Sequence, residues 1–256
     1  MSRAKSALLR RDILQFHYAI NTQELGYDEK VFNSYGDYLM LAEYYVLKKG
    51  KEELQNLLDV FRKPLEEMRA GEVHELLVQL QFPIIYTTNY DHLLEKAHEK
   101  FTGEKTPSIV TLNDMLKVGN NMKVQIVKFH GDLDDLDSVV LDETSYFERM
   151  DFEAALDIKM RADMLGRSVL FLGYSLGDFN VRYMMYKLHK LWDSAKDPLA
   201  KPKSYIFLTT PNPLLKEVLF EKRGITTFTS EVSDHGEGLK RFLQALLKGV
   251  NDLEPQ

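Results

Sequence analysis

The sequence predicts an α/β fold: a parallel sheet with helices on both faces, and a helical N-terminal layer or insertion. Short runs rich in β-branched and aromatic residues recur along the chain, and helical patterns separate them. Several runs are almost continuously apolar, which is typical of strands buried on both faces of a parallel sheet. The first 80 residues lack such runs, and they therefore predict the helical layer.

The helical layer comes first along the chain. Leu54, Leu58 and Phe61 keep the spacing of one buried helix face. Pro64 is expected to end that helix, because proline lacks the backbone N–H and crowds the preceding turn. The helices predicted in this layer are Ala7–Ile20, Tyr38–Leu47, Glu52–Lys63 and Val73–Leu80.

The remaining elements alternate between strand and helix. The predicted strands are residues 83–88, 124–130, 168–174, 204–210 and 225–229. The helices that follow or separate them are Asp91–Lys100, about Thr144–Leu165, Val181–Trp192, Pro213–Lys222 and Leu239–Leu247. This alternation indicates right-handed βαβ units in a Rossmann-like arrangement. We predict a helical layer over residues 1–80 and a Rossmann-like core over 81–250, joined in one continuous structural unit.

Composition excludes several classes of protein. The 256 residues include no cysteine, which excludes disulfides, thiol nucleophiles and cysteine-ligated zinc. No stretch approaches the roughly 18 apolar residues of a membrane span, and the N-terminus lacks the pattern of a secretory signal. The net charge of −6 disfavours a general nucleic-acid coat. We therefore expect a cytoplasmic protein that binds neither membrane nor nucleic acid.

Small or polar residues follow three of the predicted strands. The first strand leads into the pentapeptide 87–91, TTNYD, the second into His130-Gly131-Asp132, and the third into Gly173-Tyr174-Ser175. Ligands of open α/β sheets bind at the carboxyl ends of the strands. The three segments are about 40 residues apart, which is enough chain for one crossover unit between each pair. The three strand ends could therefore lie side by side around one ligand.

Each segment also has a purely structural interpretation. Thr88, Asn89 or Asp91 could cap the helix that begins near His92, because their oxygens can accept the unpaired backbone N–H groups. His130 could be a core histidine at a strand end, and the third segment could be a tight strand-to-helix turn. His92 itself has no evident partner or metal-ligand spacing, and we expect it on the surface.

With these three segments, the chain resembles the sirtuin family. TTNYD resembles the sirtuin Thr-Gln-Asn-x-Asp signature, KFHGD resembles its His-Gly pair, and FLGYS resembles its Gly-Thr-Ser turn. The bacterial sirtuin-like branch, with Thr-Thr-Asn-Tyr-Asp and Leu-Phe-Leu-Gly-Tyr-Ser patterns, is more similar still. The resemblance covers about Val73 to Leu247.

The resemblance implies an NAD site. By that resemblance Asn89 would position the attacking water, Asp91 would hold the carboxamide or ribose side of NAD, and His130 would act as general base or orient the ribose hydroxyls. Histidine as a residue type titrates near neutrality, which suits proton transfer at cellular pH. The residues expected to contact the dinucleotide elsewhere are Ser2, Thr87, Thr88, Gly173 and Ser175.

Two departures from the family refine the expectation. Sirtuin deacylases carry a four-cysteine zinc module that this chain lacks, and members without it include bacterial NAD hydrolases that deplete NAD during phage infection. The resemblance therefore implies an NAD glycohydrolase of anti-phage defence that needs no metal and has a homo-oligomeric or defence-protein partner. An NAD-dependent protein deacylase and a catalytically weak nucleotide-binding module are the alternatives.

The second departure concerns the Gly-Ala-Gly-x-Ser loop with which the family opens, and which holds the pyrophosphate at a helix N-terminus. The first glycine here is Gly26, far from any apolar strand. We hypothesise that the sequence starts inside the motif, with Met1 at its variable position and Ser2 as its serine. Phosphate affinity should then be reduced.

Overall fold

Every pairing between strands of the described chain is parallel, which confirms the predicted α/β class. The computed structural model describes residues 38–118, 123–174, 179–194, 201–230 and 232–253. The chain divides into two units, one ending at Asp151 and the other beginning at Phe152. Within the described ranges, each helix is too short or too polar to cross a lipid bilayer.

The first unit contains three strands and six helices within its described residues. Its helices are α1 (Tyr38–Lys49), α2 (Lys51–Glu67), α3 (Glu72–Gln79), α4 (Leu93–Thr102), α5 (Leu112–Val118) and α6 (Glu143–Glu148). Its strands are β1 (Ile84–Thr87), β2 (Ser108–Ile109) and β3 (Gln125–Lys128). The order across the sheet is β1-β3-β2. Strand β3 is therefore central, and its residues Ile126 and Val127 are almost completely buried, as the apolar run predicts.

The helical layer packs on the segment that follows β3. Tyr45 of α1 and Leu54 and Leu58 of α2 form a buried apolar cluster with Leu133. Helix α1 also contacts α6, where the carboxylate of Glu43 accepts hydrogen bonds from the backbone N–H and the hydroxyl of Thr144. The predicted helix Ala7–Ile20 lies outside the described residues, so the division at residue 80 stays a prediction.

The second unit has the same alternation. Its strands are β4 (Val169–Phe171), β5 (Ser204–Leu208) and β6 (Ile225–Thr229), in the order β4-β5-β6. Its helices are α7 (Ala155–Gly166), α8 (Phe179–Asp193), α9 (Pro213–Arg223) and α10 (His235–Leu253). The central strand β5 carries the buried residues Ile206 and Phe207. All five strand predictions are therefore confirmed: the last strand has the predicted boundaries, and the other four start or end one to three residues inside theirs.

Two helix predictions are wrong. Helix α2 continues through Pro64 to Glu67, because Leu65 packs against the apolar cluster described above and this tertiary contact outweighs the local effect of proline. The single helix predicted over about 144–165 is two helices, α6 and α7. Between them Phe152 has a left-handed backbone (φ 56°), which breaks the helix, and its buried ring contacts Tyr183.

Candidate functional site

Two of the predicted site segments lie side by side in the first unit. The parallel register pairs Thr87, the last residue of β1, with Lys128, the last residue of β3. The backbone N–H of Phe129 donates to the carbonyl of Thr87 at 2.8 Å, which extends the pairing one step further. Asn89 and His130 each follow two residues after the paired positions. We call residues 88–92 the Asn89 loop and residues 129–135 the His130 turn.

The Asn89 loop is closed by short local hydrogen bonds. The hydroxyl of Thr87 accepts from the backbone N–H of Asn89 at 3.1 Å. The buried carboxylate of Asp91 accepts from the N–H of Leu93 at 2.9 Å, at the start of α4. Asp91 therefore supplies the capping interaction that the sequence left open. The side chain of Asn89 is exposed and Thr88 is half-buried, so the asparagine amide is accessible to a ligand.

The His130 turn places its imidazole against helix α6. His130 is buried, with its Nδ1 3.4 Å from the hydroxyl of Tyr146 and the two rings in an edge-to-face arrangement 5.2 Å apart. Arg149 stacks its guanidinium 4.1 Å from the ring centre of Phe129 and donates to the carbonyl of the same residue. Tyr146 of α6 and Arg149, the residue directly after this helix, therefore contact two consecutive residues of the turn, and Tyr146 restricts the orientation of the imidazole.

Gly131 is required by the geometry of the turn. Its φ of +95° is a backbone conformation that side chains of L-residues rarely adopt. A Cβ at this position would lie 2.3 Å from the carbonyl oxygen of Ser138. The close approach lets the hydroxyl of Ser138 accept from the N–H of Asp132 at 3.0 Å. The His-Gly pair is therefore a structural unit, and only glycine fits its second position.

Three charged or titratable side chains connect the two segments, and we call them the Lys128 network: Lys128, Asp132 and His92. Lys128 is fully buried, and its ammonium donates to Asp132 Oδ2 at 2.7 Å and to the carbonyl of Tyr90 at 3.1 Å. The Nε2 of His92 lies 3.1 Å from the same Asp132 oxygen. The carboxylate of Glu95 lies 3.5 Å from the ammonium. One cation thus contacts both the Asn89 loop and the His130 turn.

The network shifts the ionisation of its members. Burial raises the pKa of Asp132, but hydrogen bonds from His92, a backbone N–H and Lys128 outweigh this effect and hold the pKa well below its usual range. The hydrogen bond to Asp132 raises the pKa of His92, although burial and the charge of Lys128 oppose it. Asp132 is therefore a carboxylate at neutral pH, and it pairs with the ammonium of Lys128 and the imidazole of His92.

The motifs of the sequence do not reveal this network, and the expectation that His92 lies on the surface is wrong. The His92 side chain is only 25% exposed and bridges two carboxylates, those of Asp132 and Asp134. One signal was available: Lys128 is a charged residue inside an otherwise apolar strand run, and such a residue needs a buried partner. The identity of that partner depends on the turn after the strand, which the sequence does not specify.

His92, Asp132 and Asp134 also offer one donor atom each within 4.8 Å of one another. Each carboxylate already has a cationic side chain as its partner: Lys128 at 2.7 Å from Asp132, and Arg62 at 2.8 Å from Asp134. Ion pairs thus account for the charge of this cluster, and we assign no metal to it.

Three predicted site residues lie outside the described part of the first unit. Gly173 follows β4 in the second unit, with a φ of +61° and open space where a Cβ would be. This supports the predicted tight turn. Ser175 and Ser2 lie outside the described residues. The geometry on which the candidate site rests is therefore that of the Asn89 loop and the His130 turn.

Comparison with known proteins gives a family and several relatives. A family model described as SIR2-like domain matches residues 83–228, which include both segments. NAD(+) hydrolase ThsA of Enterococcus faecium is 33% identical over 167 residues, covering 63% of this chain and 33% of the relative. The protein of the same name from Cytobacillus dafuensis is 28% identical over 60% of this chain and 31% of its own. Defense-associated sirtuin 2 of Bacillus subtilis is 24% identical over 78% of this chain and 19% of its own.

The chain spans about one third of the length of the NAD(+) hydrolases named here, at 33% and 31%. The matched family residues 83–228 make up more than half of the 256 residues. They leave helices α1, α2, α3 and α10 outside the match.

Proposed function

The chain belongs to the SIR2-like domain family, and from that premise we propose that it hydrolyses NAD to nicotinamide and ADP-ribose. The observation that carries the proposal is the parallel register of β1 and β3, which sets the Asn89 loop beside the His130 turn. An accessible amide and an oriented imidazole at the carboxyl edge of a parallel sheet suit a nucleotide ligand. The names of the relatives, NAD(+) hydrolase ThsA, support the same substrate.

The proposed reaction breaks the bond between nicotinamide and ribose through an oxocarbenium-like state. In our proposal Asn89 holds the attacking water and His130 accepts its proton or orients the ribose hydroxyls. Asp91 holds the carboxamide or ribose side, in addition to its capping bond at the start of α4. Fixed polar groups around the ribose can stabilise the developing positive charge, so the proposed reaction needs no metal.

We assign the rest of the dinucleotide to the other predicted residues. In the proposal Thr87 and Thr88 face the ribose, Gly173 lets the backbone approach the cofactor, and Ser175 and Ser2 bond its ribose or phosphate oxygens. Gly173, with its open surroundings, would allow such an approach. We further propose a role in bacterial antiviral defence, in the cytoplasm, with a second copy or another defence protein as partner. The name of the Bacillus subtilis relative, Defense-associated sirtuin 2, supports the defence role.

The proposal is tested by incubating the purified chain with NAD and measuring nicotinamide and ADP-ribose by chromatography. We expect His130→Ala to lower the rate at least about 100-fold, since losing a general base typically costs that much. Asn89→Ala should cost a similar factor, because the attacking water would lose its position. Asn113→Ala removes an exposed amide of the same kind from α5 and should leave the rate unchanged. Absence of product from the folded wild-type chain would reject the proposal.

The same assay separates the alternatives. A deacylase would release nicotinamide only when an acylated peptide is present, so equal rates with and without peptide exclude that activity. A nucleotide-binding module would bind NAD without releasing nicotinamide. In that case the two site variants would leave its cellular function intact.

A further inference from the structure

We propose that the Lys128 network is a positioning device that fixes the distance between the Asn89 loop and the His130 turn. The proposal rests on the proposed hydrolase function for its kinetic consequence. Its structural part concerns only the described residues of the first unit.

The ammonium of Lys128 donates to both segments. Lys128 Nζ donates to the carbonyl of Tyr90, one residue after Asn89, and to the carboxylate of Asp132, two residues after His130. Both bonds, at 3.1 Å and 2.7 Å, come from one atom that is completely buried. A change in the spacing of the two segments would therefore break a charge-assisted hydrogen bond away from water.

Asp132 connects the ammonium to the start of helix α4. Its Oδ2 lies 3.1 Å from Nε2 of His92, the residue immediately before α4. Its Oδ1 accepts from the backbone N–H of Asp134 at 2.9 Å. The charged groups that face this carboxylate are thus Lys128, His92, Asp134 and, beyond the ammonium, Glu95. Arg62 of α2 forms an exposed ion pair with Asp134 at 2.8 Å.

The energetic cost of a buried ion pair indicates that this pair has a role other than stability. Burying an ion pair costs several kcal/mol per ion in desolvation, and an apolar pair of similar volume is often as stable. Lys128 follows Ile126 and Val127 in a strand where an apolar side chain would satisfy the packing. Stability alone therefore gives no reason for a charge here. A cation with several directed donors does determine where two neighbouring loops lie.

The test replaces the pair by neutral side chains of similar shape. Lys128→Met with Asp132→Asn removes both charges, and the asparagine keeps an oxygen for the N–H of Asp134. We expect a urea midpoint near that of the wild type, a kcat for nicotinamide release at least about tenfold lower, and a KM within about threefold. A folded double variant with wild-type kcat would overturn the proposal.

The chain provides a matched control. Lys159 and Asp163 of α7 form an ion pair of the same types and the same sequence spacing, at 2.8 Å. Lys159→Met with Asp163→Asn should leave kcat and KM unchanged. An equal loss of kcat in both double variants would mean that charge removal acts non-specifically, and it would also overturn the proposal.

A second variant tests the proposal if the double variant does not fold. His92→Gln changes the partly exposed end of the network and keeps a group able to donate to Asp132. We expect it to fold, and we expect its kcat to lose the dependence on pH that His92 titration gives the wild type. The pKa of His92 is raised, so this part of the wild-type kcat should be lost as pH rises above the ordinary histidine value of about 6.5. A variant with the wild-type pH profile would contradict the proposal.

A spectroscopic readout separates this proposal from the proposed function. The imidazole resonances of His130 can be assigned by NMR through their disappearance in His130→Gln. They should shift in the Lys128→Met, Asp132→Asn variant and stay in place in the α7 control. If the wild type releases no nicotinamide, the proposed function fails, and unchanged His130 resonances would independently overturn the positioning role.

Discussion

Replacing Gly131 by alanine should both destabilise the first unit and disable the site. An alanine at φ +95° carries a conformational cost of roughly 1–2 kcal/mol. Its Cβ would also lie 2.3 Å from the carbonyl oxygen and 2.5 Å from the carbonyl carbon of Ser138. Because these are backbone atoms, the turn itself must move, and such overpacking adds about 1–3 kcal/mol. We therefore expect a total loss of about 2–5 kcal/mol.

Gly103 provides the matched control in the same unit. It ends helix α4 with a φ of +76°, and nothing lies within 4 Å of its ideal Cβ. Gly103→Ala should therefore lose only the conformational part, roughly 1–2 kcal/mol. Urea unfolding followed by circular dichroism measures both variants against the wild type.

The rate of nicotinamide release gives the second readout. A shifted turn moves the His130 imidazole relative to the Asn89 loop, so Gly131→Ala should lose at least about tenfold in kcat, since catalysis is sensitive to small displacements. Gly103→Ala should keep the wild-type rate. Equal destabilisation of the two variants would refute the reasoning, because it would show that the contact with Ser138 has no cost.

Three further predictions follow from other contacts. The pKa of Asp132 is depressed in the folded chain. The stabilising effect of its carboxylate is therefore complete above the unfolded-state pKa of about 3.9 and is lost as pH falls through the folded-state pKa. Urea titrations should show that the difference in free energy of unfolding between wild type and Asp132→Asn becomes smaller below about pH 4. Tyr146→Phe keeps the ring but removes the hydroxyl 3.4 Å from the imidazole of the site histidine; kcat should fall several-fold while KM and the urea midpoint stay. Gly238→Ala would place a Cβ 2.3 Å from the hydroxyl of Ser230 and should lower the thermal midpoint, whereas Gly249→Ala, in open space on the same helix, should raise it.

The strands were predictable because burial on both faces leaves a strong local signal. The run that contains Ile126 and Val127 is apolar at consecutive positions, and no alternating surface strand has that pattern. The helix boundaries were less predictable, because they depend on distant contacts. Pro64 predicts a helix end, yet Leu65 is held in the helix by packing against residues of another segment.

The two site segments were also predictable, because parallel strands bring their carboxyl ends to one edge. The ion pair that holds these two segments together was not predictable. The strand register and the left-handed backbone at Gly131 determine that the ammonium of Lys128 meets the carboxylate of Asp132. Neither property can be read from residue spacing. The sequence therefore identifies the residues at the surface of the site better than the residues beneath it.

The helical layer explains why the first unit can hold the His130 turn in one arrangement. The segment after the turn packs its Leu133 against Tyr45, Leu54 and Leu58, and the Tyr90 ring of the Asn89 loop packs against the same cluster. The Tyr90 hydroxyl also donates to the carbonyl of Val140 at 2.9 Å. Both site segments thus contact the same apolar cluster and the same buried cation, the ammonium of Lys128. Since α1 and α2 precede the residues that match the SIR2-like family, part of the geometry of this site depends on helices outside the family match.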